Sequence, residues 1–242
     1  MNTKKAEIRV SGFAVQIVRK DIKNLHLGVY PPNGRVRVAA PLALTDDAVR
    51  LAVISRLAWI KRQRAKFEGQ PRQSEREMVT GESHYFLGQR YRLNVIEHHG
   101  AGKVVFPNKS TIALYVRPEA SPVQRKQVLQ RWYREQIKAL IPPLVDKWQA
   151  ALGVRITDWG IKKMKTKWGA CSVEARRIWL NLELAKKPAQ CLEYIVVHEL
   201  IHLLERYHNE RFTMFMDQHL PTWRVWRDML NHAPLAHENW SY

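Results

Sequence analysis

Cysteine is nearly missing from this sequence: Cys171 and Cys191 are the only two in 242 residues. Two thiols cannot make a disulfide framework and leave no C-x2-C pair for a zinc ribbon, so a reducing compartment is the natural setting. Long apolar runs are missing too. No stretch approaches 18 uninterrupted apolar residues, which excludes a spanning helix. The basic start "MNTKKAEIRV" lacks the apolar segment and small-residue cleavage site of a secretory leader. A soluble, cytoplasmic, monomeric protein with no membrane partner is expected. Acidic residues are scarce, 22 against 40 Lys and Arg, for a net charge of +18. Such a field attracts nucleic acid, anionic surfaces and acidic partners, and says nothing about fold. No internal repeat, low-complexity stretch or evident linker divides the chain.

What is present reads as a globular α+β protein. The hydrophobic share, 45%, suits a chain with a proper core. Short period-two units fill the first third, "FAVQIVRK", "NLHLGVY" and "PPNGRVRVAA", with Pro31-Pro32-Asn33-Gly34 as a turn between two strands. Thr45 caps a helix with Asp46 and Asp47 in its first turn, expected to run to about Phe67 before Gly69 and to end in the basic "KRQRAK". Residues 81–116 read as further short strands. Ser121-Pro122 open a second long helix through about Leu152, with a kink expected at Pro142-Pro143. Beyond Gly153, "VRITDWGIKKMKTKWGACS" and "RRIWLNLEL" read as two strands around a turn; Pro188 precedes another helix and Pro221 closes the next. The expected layout is a β-rich region over 1–120 containing one long helix, integral to the same protein, and a region over 121–242 that carries the chemistry.

That chemistry lies in "VVHELIHLLERYH", residues 196–208. Nearly every other position from Leu192 to Leu204 is Leu, Ile, Val or Tyr, so the helix is buried on most sides. Buried polar groups need partners. His198 and His202, four apart, place both imidazoles on one helix face within reach of one metal ion. Glu199 stands where a carboxylate accepts a proton from a water at that metal. Two neutral imidazoles hold Zn²⁺, the ion brings its water's pKa to about 7, and the carboxylate takes the proton as the water attacks a carbonyl. A catalytic zinc takes a third protein ligand and keeps one position open. His208 is the candidate, but on a continuing helix it sits about 9 Å along the axis and about 120° around from His202, against a zinc–nitrogen bond of roughly 2 Å. The helix must therefore break near Glu205 or Arg206. Glu205 is the rival third ligand: on an unbroken helix it falls about 20° from His198.

An H-E-x-x-H with a histidine ten positions after the first has the ligand spacing of metzincins, with Glu205 where their turn has glycine. The fuller resemblance is to the YgjP-like metallopeptidases, relatives of the SprT-like and WLM-type zincins. It rests on "KWGACS", "RIWLNLEL" and "YIVVHELIHLLERYHNERF", in that order at short spacings. The front-half segments "NLHLGVYPPNGRVRVAAPLALTDDAV", "AWIKR" and "GESHYFLGQRYRL" extend it over almost the whole chain. The resemblance implies a zincin-like core and a zinc-dependent peptidase acting on peptide or protein substrates. It also implies one ion per chain, with His198, His202 and His208 as ligands and Glu199 as general base. Ala170 departs from the commonest form, where serine is frequent; both are small, and no functional consequence is expected. In zincin-like folds the edge strand beside the active helix offers backbone groups to an extended substrate. "RRIWLNLEL", with Ile178, Leu180, Leu182 and Leu184 alternating against Trp179, Asn181 and Glu183, is the candidate edge.

Around these residues, Gly169 suggests a tight conformation or close approach of another segment. Cys171 has no base partner in the sequence and reads as a small buried hydrophobe. Tyr207, Arg211 and His219 are open candidates for stabilising an oxyanion. For His26, His84, His98, His99, His232 and His237, surface or capping roles are the default. Arg56, Lys61, Arg62, Arg64, Lys66, Arg72 and Arg76 form one basic cluster, and Lys162, Lys163, Lys165 and Lys167 another. If the two share a face they make a nonspecific nucleic-acid surface, with Trp59 or Trp168 for stacking. The competing reading is a nucleic-acid-associated module with a structural zinc site, or a DNA-associated protease. Glu199 separates enzyme from binding module, because a structural site needs no general base.

Overall fold

The computed structural model describes residues 5–30, 34–68, 76–164 and 167–232. Arg72, Lys165 and His237 lie outside them, as do the side chains of Lys66 and His232 and residues 31–33 of the expected turn. No described helix is long and apolar enough to cross a membrane. The class is α+β, as expected, and two compact units occupy Met1–Gln73 and Ser74–Ala233.

In the first unit, strands β1 (Lys5–Val10), β2 (Phe13–Lys20), β3 (His26–Tyr30) and β4 (Arg35–Pro41) pair in the order β1-β2-β4-β3. Only the central pair is parallel. Alternation buries Val15 and Ile17 on β2 and Val36, Val38 and Ala40 on β4, in one core with Val49, Val53 and Ile60. Those last three come from α1 (Asp46–Ser55) and α2 (Leu57–Glu68), two helices where the sequence suggests one. Thr45 caps the first as expected. The break comes at Arg56 (φ −110, ψ 14), after the Ser55 hydroxyl donates to the Ala52 carbonyl, a local bond that competes with the helical ladder.

In the second unit, β5 (Ser83–Phe86), β6 (Gln89–Glu97), β7 (Lys103–Asn108) and β8 (Thr111–Val116) pair in the order β5-β6-β8-β7, again with only the central pair parallel. This repeats the first sheet's topology, and the agreement extends to spacing. Both first hairpins turn on two residues with positive φ, Ser11-Gly12 and Leu87-Gly88. The helix caps Thr45 and Ser121 each follow their hairpin glycine by 33 residues. Buried positions correspond as well: Val15 with Tyr91, Ile17 with Leu93, Val36 with Ile112, Val38 with Leu114. The expectation of no internal repeat is thus corrected, since a four-strand-then-helix pattern occurs twice.

Helix α3 (Pro122–Leu152) begins with a full capping box between Ser121 and Gln124 and ends at Gly153, whose φ of 65 suits the left-handed cap. Pro142 and Pro143 lie inside it and withhold two amide donors without ending it. Its buried stripe, Leu129, Tyr133, Ile137, Ile141, Val145 and Trp148, packs against β7 and β8 and against α4 (Ala189–Ile201). Three strands, not two, follow α3: β9 (Asp158–Lys162), β10 (Gly169–Ser172) and β11 (Arg177–Asn181), ordered β10-β11-β9. The strand expected over "RRIWLNLEL" stops at Asn181, whose side chain accepts from the amides of Met164 and Glu183 and donates to the carbonyls of Met164 and Lys167. Leu182–Lys186 therefore winds into a 3-10 turn. β11 is the central strand, so it cannot be the edge; the edge nearest α4 is β10. Helices α5 (Glu210–His219) and α6 (Trp223–His232) complete the unit.

Candidate metal centre

Helix α4 is buried on nearly every side, Glu199 included. It ends at Ile201 with His202 as its cap, slightly before the break expected near Glu205 or Arg206, and one further turn closes from the Glu205 amide to the Ile201 carbonyl, 2.9 Å. The chain then turns until Asn209 caps α5 by accepting from the Phe212 amide at 3.0 Å. This is the break that the His202–His208 spacing demands. It returns His208 to the helix, with its Nε2 3.0 Å from His198 Nε2. One ligand atom from each of His198, His202 and His208 lies within 4.8 Å of the others.

The donor set fits a zinc ion. Two nitrogens bonded at about 2.0–2.1 Å to one tetrahedral ion stand about 3.4 Å apart, close to the observed separation. His202 Nδ1 donates to the Glu205 carbonyl at 3.1 Å, which leaves Nε2 as the free lone pair. Burial, then the neighbouring His202 and His208, pushes the His198 imidazole down to about 3, and burial lowers His202 as well. Both rings are held in the neutral form that binds metal. Phe212, buried, places its ring centroid 4.9, 5.0 and 4.7 Å from those of His198, His202 and His208. Glu205 turns its carboxylate instead to the Tyr207 amide, 3.1 Å away, and that bond holds it below the usual carboxylate range.

Glu199 is 5% exposed, and burial pushes its carboxyl up to about 8 against the opposing pull of Lys167. It lies directly against β10. A Cβ added at Gly169 would stand 2.8 Å from Glu199 Cγ and 2.8 Å from Ile195 Cγ2, and closer still to the carboxylate. Gly169 marks a close approach. The three histidines and Glu199 open into a cleft of about 650 Å³ walled by residues 167–174, with Tyr194, Arg206 and Arg227 at its sides.

A sequence-family model of the YgjP-like metallopeptidase domain matches residues 23–233. The chain belongs to the YgjP-like metallopeptidase family. No curated protein matches it. Among solved structures it is similar to the metallopeptidase zymogen of Pyrococcus abyssi abylysin, with 22% identity, 36% of this chain and 89% of that chain covered, and a TM-score of 0.34.

Other residues of this YgjP-like chain fall differently from the sequence reading. Tyr207 is 68% exposed, Arg211 lies over Phe215, and neither they nor His219 lines the cleft. Tyr194 does, one helical turn before His198 on the same face. Burial pushes its phenol up to about 12, so it remains a donor at ordinary pH. Only that i, i+4 spacing could have singled it out; Phe212 and Lys167 carry no local signal. Cys171 also lines the cleft, and burial pushes its thiol up to about 11, so it stays protonated and is no nucleophile.

Among the remaining histidines, His98 caps its turn by accepting from the Gly100 amide. His84 is a correction: it is buried and bonded to Glu82 at 3.1 Å, a partner that makes an interior position tolerable. The basic stretches divide between units. Arg56, Lys61, Arg62 and Arg64 belong to the first, and Arg76, Lys162, Lys163 and Lys167 to the second. Trp59 and Trp168, each partly buried, pack against their own unit's core.

Proposed function

We propose that this YgjP-like chain is a zinc-dependent peptidase, with one ion per chain held by His198, His202 and His208 and with Glu199 as general base. The reading is carried by one observation: three imidazoles, two with facing Nε2 atoms 3.0 Å apart, meet beside a buried carboxylate at an open cleft. Bound zinc would supply Lewis acidity, which lowers the pKa of a water to about 7. The chain's own groups do the rest. Glu199 removes a proton from the attacking water and delivers it to the departing amine. Burial makes this carboxylate a stronger base than an exposed one, while Lys167 favours the ionised form that a base requires. Tyr194 donates toward the oxyanion. The free edge of β10 receives an extended peptide by strand addition.

The test begins with elemental analysis of the purified chain and of His208→Ala after loosely held ions are removed. One zinc in the wild type and a weakened site in a folded variant are expected. Glu199→Gln should keep its zinc and lose turnover of a peptide mixture by about 10²–10⁴-fold. A wild type that stays metal-free when zinc is supplied under reducing conditions overturns the proposal. Normal turnover in Glu199→Gln overturns the role of the base.

A further inference from the structure

The cleft beside the three histidines is electrostatically one-sided. Among the described residues its only carboxylate apart from Glu199 is Glu174 at the exposed turn after β10, whereas Lys167, Arg206 and Arg227 all line it. Arg227 is engaged: it donates to Asp228 at 2.9 Å and lies over the Trp223 ring. Lys167 and Arg206 are exposed, and neither has an ion-pair partner among the described residues. They flank the site on two elements, Lys167 just before edge strand β10 and Arg206 in the turn between His202 and His208. Both line the same cleft as Glu199 and His202. Unpaired cations at the walls of a concave, partly apolar site focus the field and concentrate anionic ligands there. A peptide laid along β10 would run its side chains past Lys167 and toward Arg206.

Resting on the peptidase reading above, we propose that the cleft selects peptides bearing acidic side chains beside the bond to be cut, with Lys167 and Arg206 as the residues that read them. Neither touches the bond that is cut; Lys167 also favours the ionised form of Glu199, and the effect read here is on which substrate is held.

Binding tests this without turnover. The zinc-loaded full chain carrying Glu199→Gln is titrated against two fluorescein-labelled peptides of one sequence, flanked by Glu in one and by Lys in the other, with anisotropy as the readout. The Glu peptide is expected to bind at least about tenfold more tightly at 0.15 M salt. That ratio should collapse in Lys167→Glu and Arg206→Glu and reverse in the double variant. Lys109→Glu, an equal charge change in the exposed β7–β8 turn, should leave it within about twofold. Equal affinities, or the same loss with Lys109→Glu, overturn the proposal by reducing the effect to net charge. Cleavage of a peptide mixture by the wild type separates the two readings. Cutting without acidic preference removes this proposal and leaves the peptidase. Charge-dependent binding in the cleft with nothing cut removes the peptidase and leaves the anion selectivity.

Discussion

Replacing Gly169 with alanine adds one methyl group at the point where β10 crosses Glu199, the proposed general base. That methyl would stand 2.8 Å from both Glu199 Cγ and Ile195 Cγ2, where ordinary contact begins near 3.4 Å, and nearer still to the carboxylate. About 0.6 Å or more must be recovered at three atoms. Ile195 is buried in the core and β10 is paired to β11, so the Glu199 side chain is the group that can yield. Overpacking of this kind costs about 1–3 kcal/mol. For a chain of this size that is a fall in Tm of roughly 2–12 °C. Moving a catalytic group by about 1 Å costs up to about 10²-fold in rate. The histidine rings are untouched, so zinc should remain at one per chain. The assay is thermal melting, zinc content and steady-state cleavage of a peptide on the loaded full chain. The expected result is retained zinc, lowered Tm and a kcat reduced about 10–100-fold with KM little changed. Wild-type kcat with a Tm within about 1 °C would show that the strand and the carboxylate do not meet this way.

Phe212→Ala removes the ring that packs on all three imidazoles; a loss of about 3–5 kcal/mol in stability and about 10–100-fold in zinc affinity is expected, read by urea unfolding and chelator competition. Unchanged zinc affinity would mean that the rings are positioned by the backbone alone. Ser121→Ala breaks the capping box of α3 and should cost about 1 kcal/mol in the same unfolding experiment, with zinc content unaffected. His84 supplies a pH test. Burial lowers its pKa below 6.5, so below pH 6.5 the unfolded chain binds more protons than the folded one. Its stabilising effect is complete above pH 6.5 and is lost as pH falls through the lowered value, with a slope of up to about 1.4 kcal/mol per pH unit. His84→Gln should flatten that part of the curve, and an unaltered slope would refute the burial argument.

The site was legible to the extent that it is local. His198, Glu199 and His202 share one helix, and helical periodicity alone places them. His208 was legible for the opposite reason, because the periodicity fails to place it and so demands a break; the helix ends at Ile201, a few residues before the expected Glu205 or Arg206, and one more turn closes at Glu205. Gly169 announced a close approach but not its partner. Which segment crosses a glycine is set by the β10–α4 packing, and no spacing encodes it. Phe212, and the place of Lys167 at the cleft, were invisible for the same reason. Asn181 misled: its neighbours alternate as a strand should, and the side chain that ends the strand does so through carbonyls 14 and 17 residues away.

The repeated four-strand-then-helix pattern explains why its sequence trace is so faint. A two-residue hairpin of this kind needs positive φ at both turn positions, which Ser11-Gly12 and Leu87-Gly88 each supply with a glycine second. The strands need only an apolar residue at every second position, so Val15 and Tyr91, or Ile17 and Leu93, serve equally. The helix needs an oxygen at its cap, and Thr45 or Ser121 provides one. Each requirement is met by a class of residues rather than by one residue, so two segments can hold the same topology and the same 33-residue interval from turn to cap with few shared identities. The proposed metal centre has no such latitude. A ligand to zinc must be one of a few side chains at a fixed place. The four chemically demanding positions, 198, 199, 202 and 208, therefore stand out in a sequence whose architectural repeat does not.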